Sequence, residues 1–305
     1  MLIIPILKPV LDIDLSQFRQ TGAHPFNIAE HPTKIPKLYG SKKDYAGLLA
    51  ETRAEIDELQ NMMYAHDRYG LLCIFQAMDA AGKDGTIRRV ISGVNPHGIE
   101  VHSFKRPSDG ELDHDVMWRS SKNLPPRGRI GIFNRSYYEE VLVCKVHPEI
   151  VFNYQRVPTE HTADSEALWE GRYEDIRSLE RYAHRNGIHV LKFFLHLSKE
   201  EQARRFLSRL EEPEKNWKFA EGDLAEREFW DEYQQAYEDA INATSTPESP
   251  WCAIPADNKR NMRLVVAALI LDKLKTLDMH YPEIDDARRE ELKGFEANLR
   301  EQVGK

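Results

Sequence analysis

Short apolar runs recur along the chain, separated by longer amphipathic stretches. Gly70 to Phe75 (GLLCIF) is nearly continuous in apolar residues, the pattern of a strand buried on both faces of a parallel sheet. Ile99 to Phe104, Arg129 to Phe133, Ile188 to Leu195 and Trp251 to Ile254 are further short runs. The spacing between them is helical in several places. Over 44–68, Leu48, Leu49, Ile56, Leu59, Met62 and Met63 share one broad face, and the methionine pair reads as core packing. Helices are also predicted at Thr86 to Ile91, 165–185 and 258–277, with Asp257 and Asn258 as candidate caps of the last. Strands alternating with helices predict an α/β fold with a parallel, helix-covered sheet.

Three stretches depart from this alternation. Residues 1–43 carry five prolines and read as an irregular arm lying on the body. Residues 198–246 are dense in charge and aromatics without a convincing strand, so they read as a helical excursion from the sheet. Within it, Phe229, Trp230, Tyr233 and Tyr237 fit one helix face, which favours core or oligomer packing over stacking on a ligand. Residues 283–305 are charged and read as a solvated helix. The expected organisation is an arm (1–43), a body with the excursion (44–282) and a tail (283–305).

The sharpest local motif is FQAMDAAGKDGT, Phe75 to Thr86, set between a buried strand and a helix. That is the context of a phosphate-binding loop, where N–H groups at a helix start cradle phosphate oxygens. Ala81, Gly82, Lys83, Asp84, Gly85 and Thr86 are the expected phosphate contacts, with Lys83 as a point charge on the transferring group. The match to GxxxxGK[ST] is imperfect, since Ala77 replaces the first Gly and Asp84 the Ser/Thr. An ordinary strand–turn–helix corner with a surface lysine is the alternative. Carboxylates at Asp79 and Asp84 would repel phosphate unless a divalent cation lies between them, so Mg²⁺ is expected, with Mn²⁺ able to replace it. Asp79 is the expected metal-site carboxylate.

A second apolar run ends in polar residues at Asn134-Arg135-Ser136-Tyr137-Tyr138-Glu139-Glu140. Ligands bind beyond the carboxyl ends of strands in parallel sheets. Asn134 stands where a Walker B carboxylate would be, and Arg135 is placed to hold phosphate by its fork. Glu139 and Glu140 either support metal or nucleotide, or form a solvated first helical turn.

The length of 305 residues suits one large α/β domain with an excursion, or two domains. The formal net charge of −8 argues against nonspecific DNA binding. Residues 83–135 nevertheless carry ten Lys/Arg against six Asp/Glu, a local +4 that leaves −12 elsewhere. Lys105 and Arg119 belong to this stretch, where a polyanion would lie. Three distant cysteines, Cys73, Cys144 and Cys252, form no metal spacing or disulfide framework, and a reducing cytoplasm is the expected setting. The N-terminus lacks the basic start of a signal peptide, and no apolar stretch approaches 18 residues, so no membrane association is expected.

QAMDAAGKDGT, SFKRPS, ELDHDVMWR, LPPRGRIGIFNRSYYEEVLV, LSKEEQARRFLSRLEEPEKNWKF, DLAEREFWDEYQQAYEDAI and PWCAIPADNK together resemble the polyphosphate kinase 2 family over roughly residues 40–280. The Asn134-Arg135 pair resembles the branch often called class III, whose members phosphorylate both AMP and ADP from inorganic polyphosphate. The resemblance implies a P-loop kinase fold like that of thymidylate kinase, a three-layer sandwich with a helical lid. It implies catalytic roles for Asp79, Lys83, Asn134 and Arg135, and nucleotide contacts from Asn134, Glu139 and Glu140. It also implies metal binding by Asp79 and Glu140, although Glu140 stands where Asp is more usual. Among Arg204, Arg205 and Arg209, Arg205 is taken as the phosphate-gripping lid arginine. Lys105, Arg119 and Arg135 would hold the polyphosphate chain. Adenine and guanine nucleotides both remain open as acceptors, and a homodimer or homotetramer is implied. The competing readings are an ATP-dependent nucleoside monophosphate kinase and, in a different class, a non-catalytic polyphosphate- or nucleotide-binding module.

Overall fold

The computed structural model describes residue 11 and residues 13–304. Pro5 and Pro9 of the arm lie outside the described residues. Six strands form one sheet: β1 (Arg19–Gln20), β2 (Gly70–Gln76), β3 (Ile99–Ser103), β4 (Ile130–Asn134), β5 (Ile188–His196) and β6 (Trp251–Pro255). Their spatial order is β1-β6-β5-β2-β4-β3. Strands β2 to β6 run parallel, and all seven residues of the central β2 are buried. The sheet is mixed, however, because β1 pairs antiparallel with β6, Arg19 opposite Cys252. The sequence hides this strand, since two polar residues carry no apolar run. The neighbours of β2 take the chain in opposite directions, β4 to one side and β5 to the other. A crevice opens at the carboxyl ends of strands where such an order reverses.

Among the described residues, seven helices of eight or more residues accompany the sheet: α1 (Lys42–His66), α2 (Lys83–Ile91), α3 (Ser165–Arg185), α4 (Lys199–Glu211), α5 (Trp230–Thr244), α6 (Lys259–Lys275) and α7 (Asp286–Gln302). One sheet face packs on α1, α2 and α6 through Ile56, Met63, Phe75, Val90 and Leu269. The other packs on α3 and α5 through Ile74, Phe133, Ile176, Phe194 and Tyr237. This gives three layers. Helix α5 is thus part of the body. Trp230, Tyr233 and Tyr237 are buried, and the Tyr237 ring stacks on Phe194 at 4.4 Å. The excursion is shorter than the sequence suggests: it comprises α4, a turn at Pro213–Lys218 and a short helix at Glu221–Glu226. Helix α7 buries none of its residues.

Asn258 caps α6, accepting from the N–H groups of Arg260 and Asn261. Asp257 acts differently. Its carboxylate accepts from Ser198 N–H and from the Thr33 hydroxyl, both at 2.9 Å, joining the arm, the end of β6 and the start of α4. A buried ion pair anchors the segment after β4. Lys192 of β5, fully buried, donates to Glu180 of α3 at 2.6 Å, and Glu180 also accepts from the hydroxyls of Tyr137 and Tyr138. With all its partners satisfied, such a network fixes the geometry of the residues just before Glu139. Among the described residues, no helix is long and apolar enough to cross a membrane, and the three cysteines are buried and free.

Candidate active site at the carboxyl ends of the central strands

The turn after β2 is built on unusual backbone. Ala80 (φ 60°) and Gly82 (φ 101°) both lie in the left-handed region, which glycine enters at little cost and alanine does not. Gly82 is the N-cap of α2 and offers no side chain, so the first N–H groups of the helix stay open. Lys83 folds back over the turn, donating to the Ala77 carbonyl at 2.8 Å. Burial pushes its ammonium below the ordinary lysine value, and nearby Arg135 adds to this, while Asp79, Glu139 and Asp84 pull the other way.

The end of β4 lies beside this turn. Asn134 donates to Asp84 at 2.6 Å and sits next to Ser103 at the end of β3. Arg135 also has left-handed backbone (φ 63°), and its guanidinium lies between Asp79 at 3.3 Å and Glu139 at 3.6 Å. Burial raises the pKa of the Glu139 carboxyl, partly offset by Arg135 and Lys83. Glu139 is therefore not the solvated helix-turn residue that was one reading of the sequence.

Two cavities meet here. The larger, about 1040 Å³, is lined by Asp79 to Gly85, by Lys105 and Arg106 after β3, by Asn134 and Arg135, and by cations from α4 and α6. Eleven of its described lining residues are Lys or Arg, against three carboxylates, Asp79, Asp84 and Glu201. The smaller, about 290 Å³, has an apolar wall of Ala77, Met78, Leu142 and Val143 facing Tyr233 and Tyr237. Gln202, Arg227 and the carboxylates Glu139, Asp223 and Glu226 complete it. The two cavities share Asp79 and Arg135, so this ion pair stands at their junction.

Several sequence-based assignments need correction. Thr86 is fully buried beneath the turn, its hydroxyl 3.9 Å from the Met262 sulfur, and does not reach the cleft. Arg119 lies outside the cleft. It donates to the Lys105 carbonyl at 2.8 Å and covers the Phe104 ring, so it holds the loop that presents Lys105. Arg205 borders the cleft, but its donors are engaged: by the carbonyls of Ala80, Ala81, Ala256 and Asp257, and by Glu201. It staples the backbone of the turn after β2 to the end of β6. Glu140 points away from both cavities, bound by Arg172 at 2.9 Å and Gln155 at 2.5 Å, and a metal there would have to displace a guanidinium. Asn134 faces the larger cleft and not the smaller cavity.

The structure also adds residues. Arg88, Lys215, Lys259 and Arg263 line the larger cleft. Lys259 is held below the ordinary lysine value by burial, with Arg205, Arg263 and Lys215 nearby and Glu201 opposing. Arg263 has a buried Nε without a partner. These residues come from segments far apart in sequence, so no local spacing announces them. Only the position of Lys259 and Arg263 just after a strand end hinted at them.

The profile of the polyphosphate kinase 2 family matches residues 39–282. A relative from Rhodopseudomonas palustris, named ADP-polyphosphate phosphotransferase, is 50% identical over 92% of this chain and 97% of its own. An AMP/ADP-polyphosphate phosphotransferase from Meiothermus ruber is 43% identical over 84% of this chain and 91% of its own. The crystal structure of polyphosphate kinase 2 from Arthrobacter aurescens TC1 superposes with a TM-score of 0.82 at 36% identity, covering 92% of this chain and 97% of that one. With a family match over residues 39–282 and relatives this similar along nearly their whole length, the chain belongs to the polyphosphate kinase 2 family.

Proposed function

We propose that the chain is a polyphosphate-dependent nucleotide kinase, transferring the terminal phosphoryl group of inorganic polyphosphate to AMP or ADP. The observation that carries this is the contrast between the two cavities that meet at Asp79 and Arg135. The larger is a cation-lined cleft suited to a chain of phosphates. Its described lining holds one aromatic side chain, Phe104, already covered by Arg119, which speaks against a nucleoside on the donor side and so against ATP as donor. The smaller has apolar walls and two tyrosines for a nucleoside. The names of the two relatives point the same way.

The donor end would lie against the open N–H groups of α2, with Lys83 leaving the Ala77 carbonyl to meet the transferring group. Arg135 would turn from Asp79 and Glu139 to the phosphates. The acceptor phosphate enters from the smaller cavity, is already ionised near neutral pH, and needs no base. Positioning and charge neutralisation carry such transfers. Helix α4 and the Glu221–Glu226 helix, which line the smaller cavity through Gln202, Asp223 and Glu226, would close over the junction and exclude water.

Among the described residues no cluster of three or more His, Cys, Asp or Glu could cage a metal. This donor set fits Mg²⁺ or Mn²⁺, since Mg²⁺ takes one or two carboxylates and completes its shell with phosphate oxygens and water. Asp79 and Asp84 would hold it, and bound there it would neutralise charge between the phosphates. A cytoplasmic setting and a homo-oligomeric state, dimer or tetramer, belong to the same reading, and guanine nucleotides are further candidate acceptors.

The test is incubation with Mg²⁺, polyphosphate and either AMP or ADP, without ATP, following nucleotide products by chromatography. Formation of ADP or ATP is expected; absence of both rejects the proposal. Binding of both ligands without turnover would favour a non-catalytic module.

A further inference from the structure

The start of α6 serves two neighbours, the larger cleft and the N-terminal arm. The N-terminal arm crosses the start of α6 and is tied to it. Asn261 donates to the carbonyls of Ile35 and Pro36 and accepts from Leu38 N–H. Asn258 donates to the Tyr39 hydroxyl at 3.5 Å. Arg260 lies over the rings of Tyr39 and Tyr45, 5.7 Å from each centroid. Its neighbour Lys259 lines the cleft, and Arg263 does so one turn later. The arm and the first turn of α1 thus bring their own lysines to the helix start that borders the cleft.

Lys34, Lys37, Lys42 and Lys43 are exposed. None of them, nor Arg260, has a carboxylate partner among the described residues. Residues 31–45 hold four lysines and one acidic residue, Asp44, within a chain of net charge −8. The Asp44 carboxylate accepts from Gly40 N–H. Two members of this group, Arg260 and Lys37, act on Tyr39. Burial would raise its phenol, but hydrogen bonds from Asn258 and Arg260 and the charges of Arg260 and Lys37 leave it below its ordinary value. Like charges gathered without counter-charges repel one another, and a bound polyanion relieves that repulsion.

We propose that Lys34, Lys37, Lys42, Lys43 and Arg260 form an exosite that continues the donor cleft and holds the distal part of a long polyphosphate chain while its end lies at Lys83. The inference rests on the donor reading given above. Lysines suit this task because an ammonium is a point charge that accepts any phosphate orientation. Nucleic acid fits less well. Base stacking needs open aromatic faces, whereas Tyr39 and Tyr45 meet edge to face at 5.6 Å and are covered by Arg260.

The test uses the full chain carrying K34Q/K37Q/K42Q/K43Q, a set outside the proposed catalytic machinery. Turnover is measured with Mg²⁺, ADP and either short-chain or long-chain sodium polyphosphate. The KM for the long chain should rise about tenfold and lose much of its salt dependence. The kcat with both donors and the KM for the short chain should hold. The corresponding Lys→Arg set should keep the original long-chain KM. An unchanged long-chain KM, or equal increases for both donors, overturns the exosite. So does single-stranded DNA that competes with the long chain as effectively as added polyphosphate. If the unaltered protein turns over neither donor, the donor reading itself fails, a result distinct from an exosite failing in an active enzyme.

Discussion

At the scale of single residues, the site is a set of charges whose states depend on one another. Lys83 must be protonated to meet phosphate, and burial lowers its pKa. The alkaline limb of kcat/KM should therefore fall below the ordinary lysine value of about 10.4. Glu139 pulls the Lys83 pKa upward, so Glu139→Gln should move that limb to still lower pH. A limb that stays fixed or moves up would contradict this coupling. Lys83→Ala should lower kcat by about 10²–10³, the effect of removing one preorganised charge from a transition state, with the melting temperature unchanged. Glu140 behaves oppositely. Its carboxylate answers the buried Arg172. Removing one partner of a buried pair costs about 3–5 kcal/mol, so Glu140→Ala should lower the denaturation midpoint steeply while the Mg²⁺ dependence of the remaining activity holds. A weakened Mg²⁺ response in a protein of ordinary stability would restore Glu140 as a ligand.

At the scale of elements, the sequence was most readable where structure is regular. Four of the five parallel strands, β2, β4, β5 and β6, appeared as apolar runs because burial on both faces leaves no polar period, whereas β3, at the sheet edge, alternates Ile99, Val101 with Glu100, His102. Lys83, Asp79, Asn134 and Arg135 were legible because residues ending adjacent parallel strands must converge. Glu139 and Glu140 were not separable. They lie in a 3₁₀ turn, Tyr137–Glu140, where each residue turns the side chain by about 120°, so neighbours face different surroundings. Arg205 misled for another reason. Helix α4 has arginines at 204, 205 and 209, and residue type alone does not say which faces the body. Arg204 pairs with Glu200 and Glu201 at the surface, and Arg209 with Asp223 at 2.9 Å. Arg205 is the inward one, holding four carbonyls and with them the strained Ala80. A single ammonium cannot span those four acceptors. Arg205→Lys should therefore behave nearly as Arg205→Met, losing stability and kcat together, while the KM for polyphosphate changes little. Full rescue by lysine, or a selective rise in KM, would return Arg205 to the role of phosphate ligand.

At the scale of the whole molecule, the net charge of −8 conceals a division of labour. Of the ten cations in residues 83–135, half line the cleft: Lys83, Arg88, Lys105, Arg106 and Arg135. The other six of the eleven come from α4, the following turn and α6. Field strength in a cleft depends on where charges sit, so an acidic protein can still bind a polyanion. The KM for polyphosphate should climb steeply with ionic strength, by about tenfold or more per tenfold rise in salt, while the KM for the nucleotide changes much less. Equal salt sensitivity for both substrates would remove the distinction between the two cavities. The pairing of β1 with β6, and of the arm with α6, has a consequence for how the chain is made. Residues 19–20 find their partners only at 251–252, and α1 packs on α6 across a similar separation. A ribosome adding about 5–20 residues per second needs roughly ten to forty seconds to travel from the end of α1 to β6. During that interval α1 can dock against α2 and the turn at Asn95, but its larger partner α6 is missing, so the arm and β1 are among the last parts to fold.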